Sequence, residues 1–188
     1  MIIFDGGPCF SDFRKHKLLL KLQAAQSNVL SLKANYQYFV DTASLLSERQ
    51  TAVLQSLLNC RCHSPATDFS TQLFLVVPRL GSISAWSSKA TDIARNCGLD
   101  CVLRVERGIA FSITTSITLD RSEEVTLAEL LYDRMIETIF FNISESSKIF
   151  MREDPVPVKA IDILDSGFEM FRQVNLNLGL ALSDSEMD

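Results

Sequence analysis

The chain repeats itself, and the repeat limits what it can fold into. Val29-Leu30-Ser31-Leu32 is matched by Val102-Leu103-Arg104-Val105, an offset of 73 residues (29 to 102). At that offset Ile2-Ile3-Phe4 falls on Leu75-Val76-Val77, Ser11 on Ser84 and Phe13 on Trp86. Tyr36, Tyr38 and Val40 fall on Ile109, Phe111 and Ile113; Leu54, Leu57 and Leu58 fall on Leu127, Leu130 and Leu131, with no gap required. Strand, cap and helix signals that recur in phase indicate a duplicated unit rather than chance matching of apolar positions.

Each copy has the same order of elements. A short apolar strand (1–5, then 72–78) is followed by a Ser-capped helix (11–26, then 87–97 with Ser87 or Ser88 as cap). In the second helix Ala90, Ile93, Ala94 and Cys97 share one face, and Gly98 stands where a left-handed C-cap is wanted. A long strand follows (29–42, then 101–116), with Val105, Ile109, Phe111 and Ile113 on one side. Gly108 marks a bulge or a close backbone approach. Ser47-Glu48-Arg49-Gln50 is a capping box before the stripe Val53, Leu54, Leu57, Leu58. Asp120-Arg121-Ser122-Glu123 is a weaker version, and its helix is expected to continue through Leu127, Leu130, Leu131, Tyr132, Met135 and Ile139.

The expected fold is therefore α/β of the α+β type. Two pseudo-symmetric βαβα units, residues 1–73 and 74–146, have sheets covered by helices and bury their apolar faces by pairing about a pseudo-twofold axis. Residues 147–188 read as a linker region. There Asp154-Pro155-Val156-Pro157 is a breaker, Ile161, Ile163 and Leu164 suggest a short strand, and Phe168, Phe171, Val174, Leu178 and Leu182 mark a helix near 167–182. The end at Asp184-Ser185-Glu186-Met187-Asp188 reads as a break inside a longer protein, or else as a frayed acidic tail.

Composition excludes several partners. A net charge of −5 argues against a nucleic-acid surface, and the densest basic run, Arg14-Lys15-His16-Lys17, suits a solvated helix face. The basic-aromatic strand pattern of an RNA-binding domain is missing. No apolar run approaches the ~20 residues of a membrane span. Met1–Asp5 lacks a basic leader, and five irregularly spaced cysteines suit free thiols in a cytoplasmic protein.

Self-contained chemistry is hard to find. Cys60-Arg61-Cys62-His63 resembles half of a metal clip without the second half; a loop with chance thiols is the other reading. His16 sits in the basic helix. Asp5-Gly6-Gly7-Pro8 lacks the Lys of a phosphate loop, and Cys9 lacks the glycine elbow and histidine of a nucleophile. No carboxylate pair stands out for acid–base work. The run from Pro78 to Leu99 holds the single tryptophan and is the unusual stretch. It can be a capped helix with a packed Trp86, an interdomain contact surface or a direct ligand site, with the helix start open to an anion.

Pro78-Arg79-Leu80-Gly81-Ser82-Ile83-Ser84-Ala85-Trp86-Ser87-Ser88-Lys89-Ala90-Thr91-Asp92-Ile93-Ala94, then Asn96-Cys97-Gly98-Leu99, then Arg104-Val105-Glu106-Arg107-Gly108, resembles the N-terminal domain of the large single-chain formylglycinamide ribonucleotide amidotransferases of purine biosynthesis. The family pattern has prolines at the places of Leu80 and Ala85, threonine at Ser82 and isoleucine at Val105, so the loop here is less rigid. The likeness is strong over 75–113 and 171–188 and weak elsewhere.

The resemblance implies a part of a ligase that uses ATP and glutamine-derived ammonia to turn formylglycinamide ribonucleotide into its amidine. It implies a fused dimer of PurS-like units. It also implies that ATP and magnesium sit in a synthase domain and the nucleophilic cysteine in a glutaminase domain, both outside this stretch. The expected role is a non-catalytic assembly domain with those two domains as partners and no cofactor of its own. Its docking face would be Arg79, Ser84, Trp86, Ser87, Ser88, Lys89, Asp92, Asn96, Arg104, Glu106, Arg107 and Gly108. The alternative is a stand-alone two-lobed regulatory module that binds a small ligand between its halves, which a well-formed pocket at the pseudo-twofold axis would favour.

Overall fold

The computed structural model describes residues 1–63, 71–151, 157, 160 and 163–187. The chain divides into two compact units, Met1–Arg152 and Glu153–Asp188.

In the first unit the elements run β1 (Ile2–Pro8), α1 (Asp12–Ala25), β2 (Val29–Thr42), α2 (Glu48–Leu58) and a short β3 (Arg61–Cys62), then β4 (Thr71–Pro78), α3 (Ala85–Asn96), β5 (Val102–Thr115) and α4 (Arg121–Ala128). β6 (Glu137–Phe140) and a 3-10 helix, Ile143–Phe150, follow. The strands form one six-stranded antiparallel sheet in the order β3-β1-β2-β5-β4-β6. The fold is thus α+β, and the two copies share a single sheet rather than owning one each.

The duplication is visible in the element bounds. β2 and β5 have equal length, and both begin and end 73 residues apart (29 to 102, 42 to 115). The N-caps Ser11 and Ser84 keep the same spacing, as do the capping boxes at Ser47 and Asp120. β2 and β5 pair antiparallel in a register that sets Tyr36 opposite Ile109, its own equivalent in the repeat. A pseudo-twofold axis therefore passes through that pair.

The first strands depart from the gapless alignment. Phe4 pairs with Tyr38 and Phe74 with Phe111, so Phe4 corresponds to Phe74 and Pro8 to Pro78, an offset of 70 (8 to 78). The second copy thus carries three extra residues between its strand and its helix, inside the segment Arg79–Ile83.

All four helices lie on one face of the sheet. α1 and α4 cover Leu32, Ala34, Phe74, Phe111 and Ile113, while α2 and α3 cover Phe4, Tyr38, Val40 and Val105. Each half of the core thus takes one helix from each copy. The opposite face holds Phe39, Leu75, Val77 and Phe140, with Ile149 of the 3-10 helix against them.

Three expectations need correction. α3 begins at Ala85 because Ser84, not Ser87 or Ser88, is the cap. The buried stripe of α3 is Ser87, Thr91 and Ala94; Cys97 and Ile93 are exposed. The reason is polar: Thr91 Oγ1 accepts the Val105 N–H (3.0 Å), a β5 donor that β4 no longer reaches. Third, α4 stops at Ala128 instead of continuing to Ile139. Asp133 organises a turn by accepting the Met135 N–H (2.8 Å), and Ile139 then pairs with Val76 as part of β6. Ladder pairing on an open sheet edge outweighs the helical period there.

Gly98 does adopt the left-handed C-cap (φ 81), and Leu99 N–H donates to the Ala94 carbonyl (3.2 Å).

In the second unit α5 (Ile163–Leu178) is broken at Gly167 (φ 75) and ends at Gly179 (φ 62). Ile163 and Leu164 are helical rather than a strand, while Ile161 and the breaker residues 154–156 lie outside the described residues. A short helix, α6 (Asp184–Met187), folds back, with Asn175 bonded both ways to the Leu182 backbone (2.9 Å each) and Arg172 donating to Asp184 (2.9 Å).

Gly108 sits where a Cβ would lie 2.7 Å from the Val76 carbonyl oxygen and 3.0 Å from Val77 Cγ1. Gly108→Ala is expected to lower unfolding free energy in urea by about 1–3 kcal/mol. Gly7→Ala, with nothing within 4 Å of the added Cβ, is expected to cost less and serves as the control.

Candidate functional site

The three-residue insertion lies where β4 and β5 part. Their pairing ends at Val76 with Ile109, and the chain then runs through Arg79–Ile83 to the α3 cap. The abandoned edge of β5 is satisfied by side chains. Arg95 donates to the Val102 carbonyl (3.3 Å) and the Leu103 carbonyl (2.9 Å), and Thr91 takes the Val105 N–H.

One buried carboxylate holds this junction. Glu106 is 0 % exposed. It accepts from Ser84 Oγ (2.9 and 3.2 Å) and from the Ser84 N–H (3.3 Å). Ser84 Oγ in turn accepts the Ser87 N–H (3.0 Å), so one hydroxyl caps α3 and ties it to β5. Arg104 pairs with Glu106 (3.4 Å), donates to the Ser82 carbonyl (2.8 Å) and lies over the Phe150 ring (5.5 Å). This supplies the counter-charge that a desolvated carboxylate requires.

The other side of β5 carries a different construction. Arg107 stands over the Tyr36 ring (4.5 Å) and the Trp86 ring (4.7 Å). Trp86 stacks on Tyr38 (5.8 Å between centroids, 25° between planes). Burial pushes the Tyr38 hydroxyl pKa up, and nearby Arg107 partly opposes that shift. Beside the stack opens a cleft of about 510 Å³ lined by Tyr36, Arg79, Ser82, Arg107, Ile109 and Glu137 among others. It contains the Tyr36–Ile109 pair, so it lies at the pseudo-twofold axis.

Of the residues the sequence singles out, Arg79, Ser84, Arg107 and Gly108 line this cleft. Trp86, Glu106 and Arg104 support it from behind. Ser87 is buried in α3, its hydroxyl without a hydrogen-bond partner among the described residues. Ser88, Lys89, Asp92 and Asn96 are exposed on α3, and none of them lines the cleft. Sequence reasoning missed Tyr36, Ser82 and Glu137 as lining residues. Tyr36 was within reach, since the repeat already matched it to Ile109 in a strand that must pair across the axis.

The Cys60–His63 segment spans β3, and among the described residues no three His, Cys, Asp or Glu side chains are grouped to hold a metal ion. His63 Nδ1 lies 2.7 Å from Asp5 Oδ1, and Gln37 Nε2 donates to the same carboxylate (3.1 Å). Burial, followed by the neighbouring Cys62 and Asp5, pushes the Cys60 thiol up to about 11. Among the described residues no helix is long and apolar enough to cross a membrane.

A duplicated α+β module with its four helices on one face of a shared sheet and a cleft at its axis defines the class of fold. The family model described as formylglycinamide ribonucleotide amidotransferase N-terminal matches residues 35–150, well over half of the 188 residues, and the chain belongs to that family. The match runs from within β2 to the end of the 3-10 helix and takes in every cleft residue named above. It ties the chain to an amidotransferase of purine biosynthesis.

Glu106→Ala is expected to cost about 3–5 kcal/mol in chemical denaturation, because it leaves Arg104 without its counter-charge and the Ser84 cap without its acceptor. Iodoacetamide at pH 8 is expected to label the exposed Cys62 and Cys97 well before Cys60, whose raised pKa leaves little thiolate; mass spectrometry of timed digests reads the order.

Proposed function

We propose that this chain is the non-catalytic assembly domain of a formylglycinamide ribonucleotide amidotransferase. It would dock the synthase and glutaminase domains of the same enzyme, the ATP- and glutamine-dependent ligase that makes formylglycinamidine ribonucleotide. One observation carries the reading. Around the inserted loop, Leu80, Ile83, Met135 and Ile136 are exposed apolar side chains, and the Arg79 backbone bonds to Ile136 to hold two of these segments together. An apolar patch rimmed by Arg79 and Ser82 has the make-up of a protein contact surface. The equivalent loop of the first copy is three residues shorter, and its Cys9 and Phe10 are half-buried.

In this reading ATP and magnesium work in the synthase domain, and the exposed α3 residues Ser88, Lys89, Asp92 and Asn96 form the polar margin of the contact. Five free cysteines support a reducing, cytosolic setting. The cleft at the pseudo-twofold axis supports a second reading, a module that binds a small ligand between its two halves.

The test is reconstitution. The chain is mixed with a polypeptide carrying the synthase and glutaminase domains, and glutamine- and ATP-dependent amidine formation is assayed. Activity is expected to appear on mixing. Ile83→Asp with Ile136→Asp is expected to weaken association by about tenfold or more, while Leu45→Asp, at a 95 % exposed position away from the patch, leaves it unchanged. No complex from a verified folded chain would defeat the assembly reading in favour of the second.

A further inference from the structure

We propose that the cleft over the Tyr36–Ile109 pair binds a small organic oxyanion, a carboxylate or phosphate borne on an apolar body, with Arg107 as its anchor. The inference starts from the strand pattern. The helix-facing side of β5 reads Val105, Arg107, Ile109, Phe111, Ile113. A guanidinium interrupts an otherwise apolar row, at a position whose equivalent in the first copy is the buried Ala34. Local rules broken without a folding benefit point to function.

Arg107 is half-buried, and its partners are rings. Its guanidinium lies over the Tyr36 ring (4.5 Å) and the Trp86 ring (4.7 Å). Among the described residues none of the ion pairs involves Arg107, and its guanidinium N–H groups have no hydrogen-bond acceptor. Its nitrogens are not among the buried unpaired atoms, so water reaches them, and a planar fork held beside rings is preorganised to exchange that water for a bidentate oxyanion.

Arg79 adds a second positive charge to the same cleft; its side chain makes a 3.5 Å contact with the Met135 carbonyl and pairs with no described carboxylate. Glu137 also lines the cleft with its carboxylate accepting the Asp133 N–H (2.8 Å); its one negative charge leaves the two arginines in excess. Val76, Ile109 and Ile136 supply apolar wall for the body of the ligand, and about 510 Å³ accommodates a small molecule.

Trp86 is the single tryptophan of the chain and touches Arg107, so selectively excited tryptophan fluorescence reports on the surroundings of that guanidinium; Trp86 also lines a second hollow between α2 and α3, and the Arg107 variants assign a signal to the cleft. The 188-residue chain is titrated with phenyl phosphate, benzoate, inorganic phosphate and acetate at constant ionic strength. A saturable change is expected with phenyl phosphate or benzoate, at about tenfold lower concentration than with inorganic phosphate or acetate. The better of the first two identifies the oxyanion. Arg107→Gln is expected to weaken binding about tenfold or more, and Arg107→Lys less, because the charge stays but the fork is lost. Arg79→Gln, on the open side of the cleft, gives a smaller loss. No saturable change with any probe would overturn the proposal. So would inorganic phosphate binding as tightly as phenyl phosphate, or undiminished binding by an Arg107→Gln chain with native far-UV dichroism. The chain is tested alone, so the result is independent of whether it assembles with other domains.

Discussion

The pairing of β2 with β5 is the contact on which the rest of this fold depends. It runs from Val29 opposite Thr115 to Thr42 opposite Val102, the full length of both strands, and joins the two copies by one ladder. Its register puts Tyr36 against its own equivalent, so every neighbour of one copy has a counterpart across the axis. The helices then interleave, α1 with α4 and α2 with α3. Neither copy owns a complete core: the cluster around Phe111 needs Leu22 and Leu32 of the first copy, and the cluster around Val40 needs Ala94 and Val105 of the second. Cutting the chain between the copies would expose half of each cluster, so the unit stands or falls as a pair.

What makes the module more than a symmetric pair is a small break in symmetry. In the second copy three added residues let β4 leave β5 early, at Val76. The edge of β5 beyond that point would present unpaired backbone groups in a buried setting. Thr91, Arg95 and the Ser84–Glu106 link satisfy or seal it, and each comes from α3 or the loop before it. The deviation that opens the cleft also fixes the helix at its rim.

Much of this was legible in the sequence, for reasons that can be named. Ser11, Ser47 and Asp120 are caps because their side chains accept free N–H groups, and those signals are local. Gly98 and Gly108 were legible because a left-handed cap and a 2.7 Å backbone approach both demand glycine. The insertion was not. β4 is apolar at nearly every position because both its faces are covered, so a shift from 70 to 73 still sets apolar on apolar. Only Phe4 with Phe74 and Pro8 with Pro78 distinguish the two alignments. The cap of α3 was ambiguous for a similar reason: Ser84, Ser87 and Ser88 all have capping chemistry, and the choice falls to Ser84 because Glu106, distant in sequence, binds its hydroxyl. The end of α4 was hidden because Ile139 satisfies a helical stripe and a strand equally, and only the open edge of β4 decides between them.

The adjacent charges Glu106 and Arg107 show how one strand places two ionic groups in different settings. Successive side chains of β5 go to opposite faces, so the two cannot serve each other. Glu106 is sealed, and Ser84 and Arg104 answer it, which makes it a fixed joint between strand, loop and helix. Arg107 meets two aromatic faces and an open cleft, which give it position without a counter-charge. The first copy has the buried Ala34 at the equivalent place, so the repeat does not itself require a cation there. Its nitrogens are absent from the buried unpaired atoms of the described residues, so water reaches them, and the proposed oxyanion would take the place of that water on a fork the rings already hold.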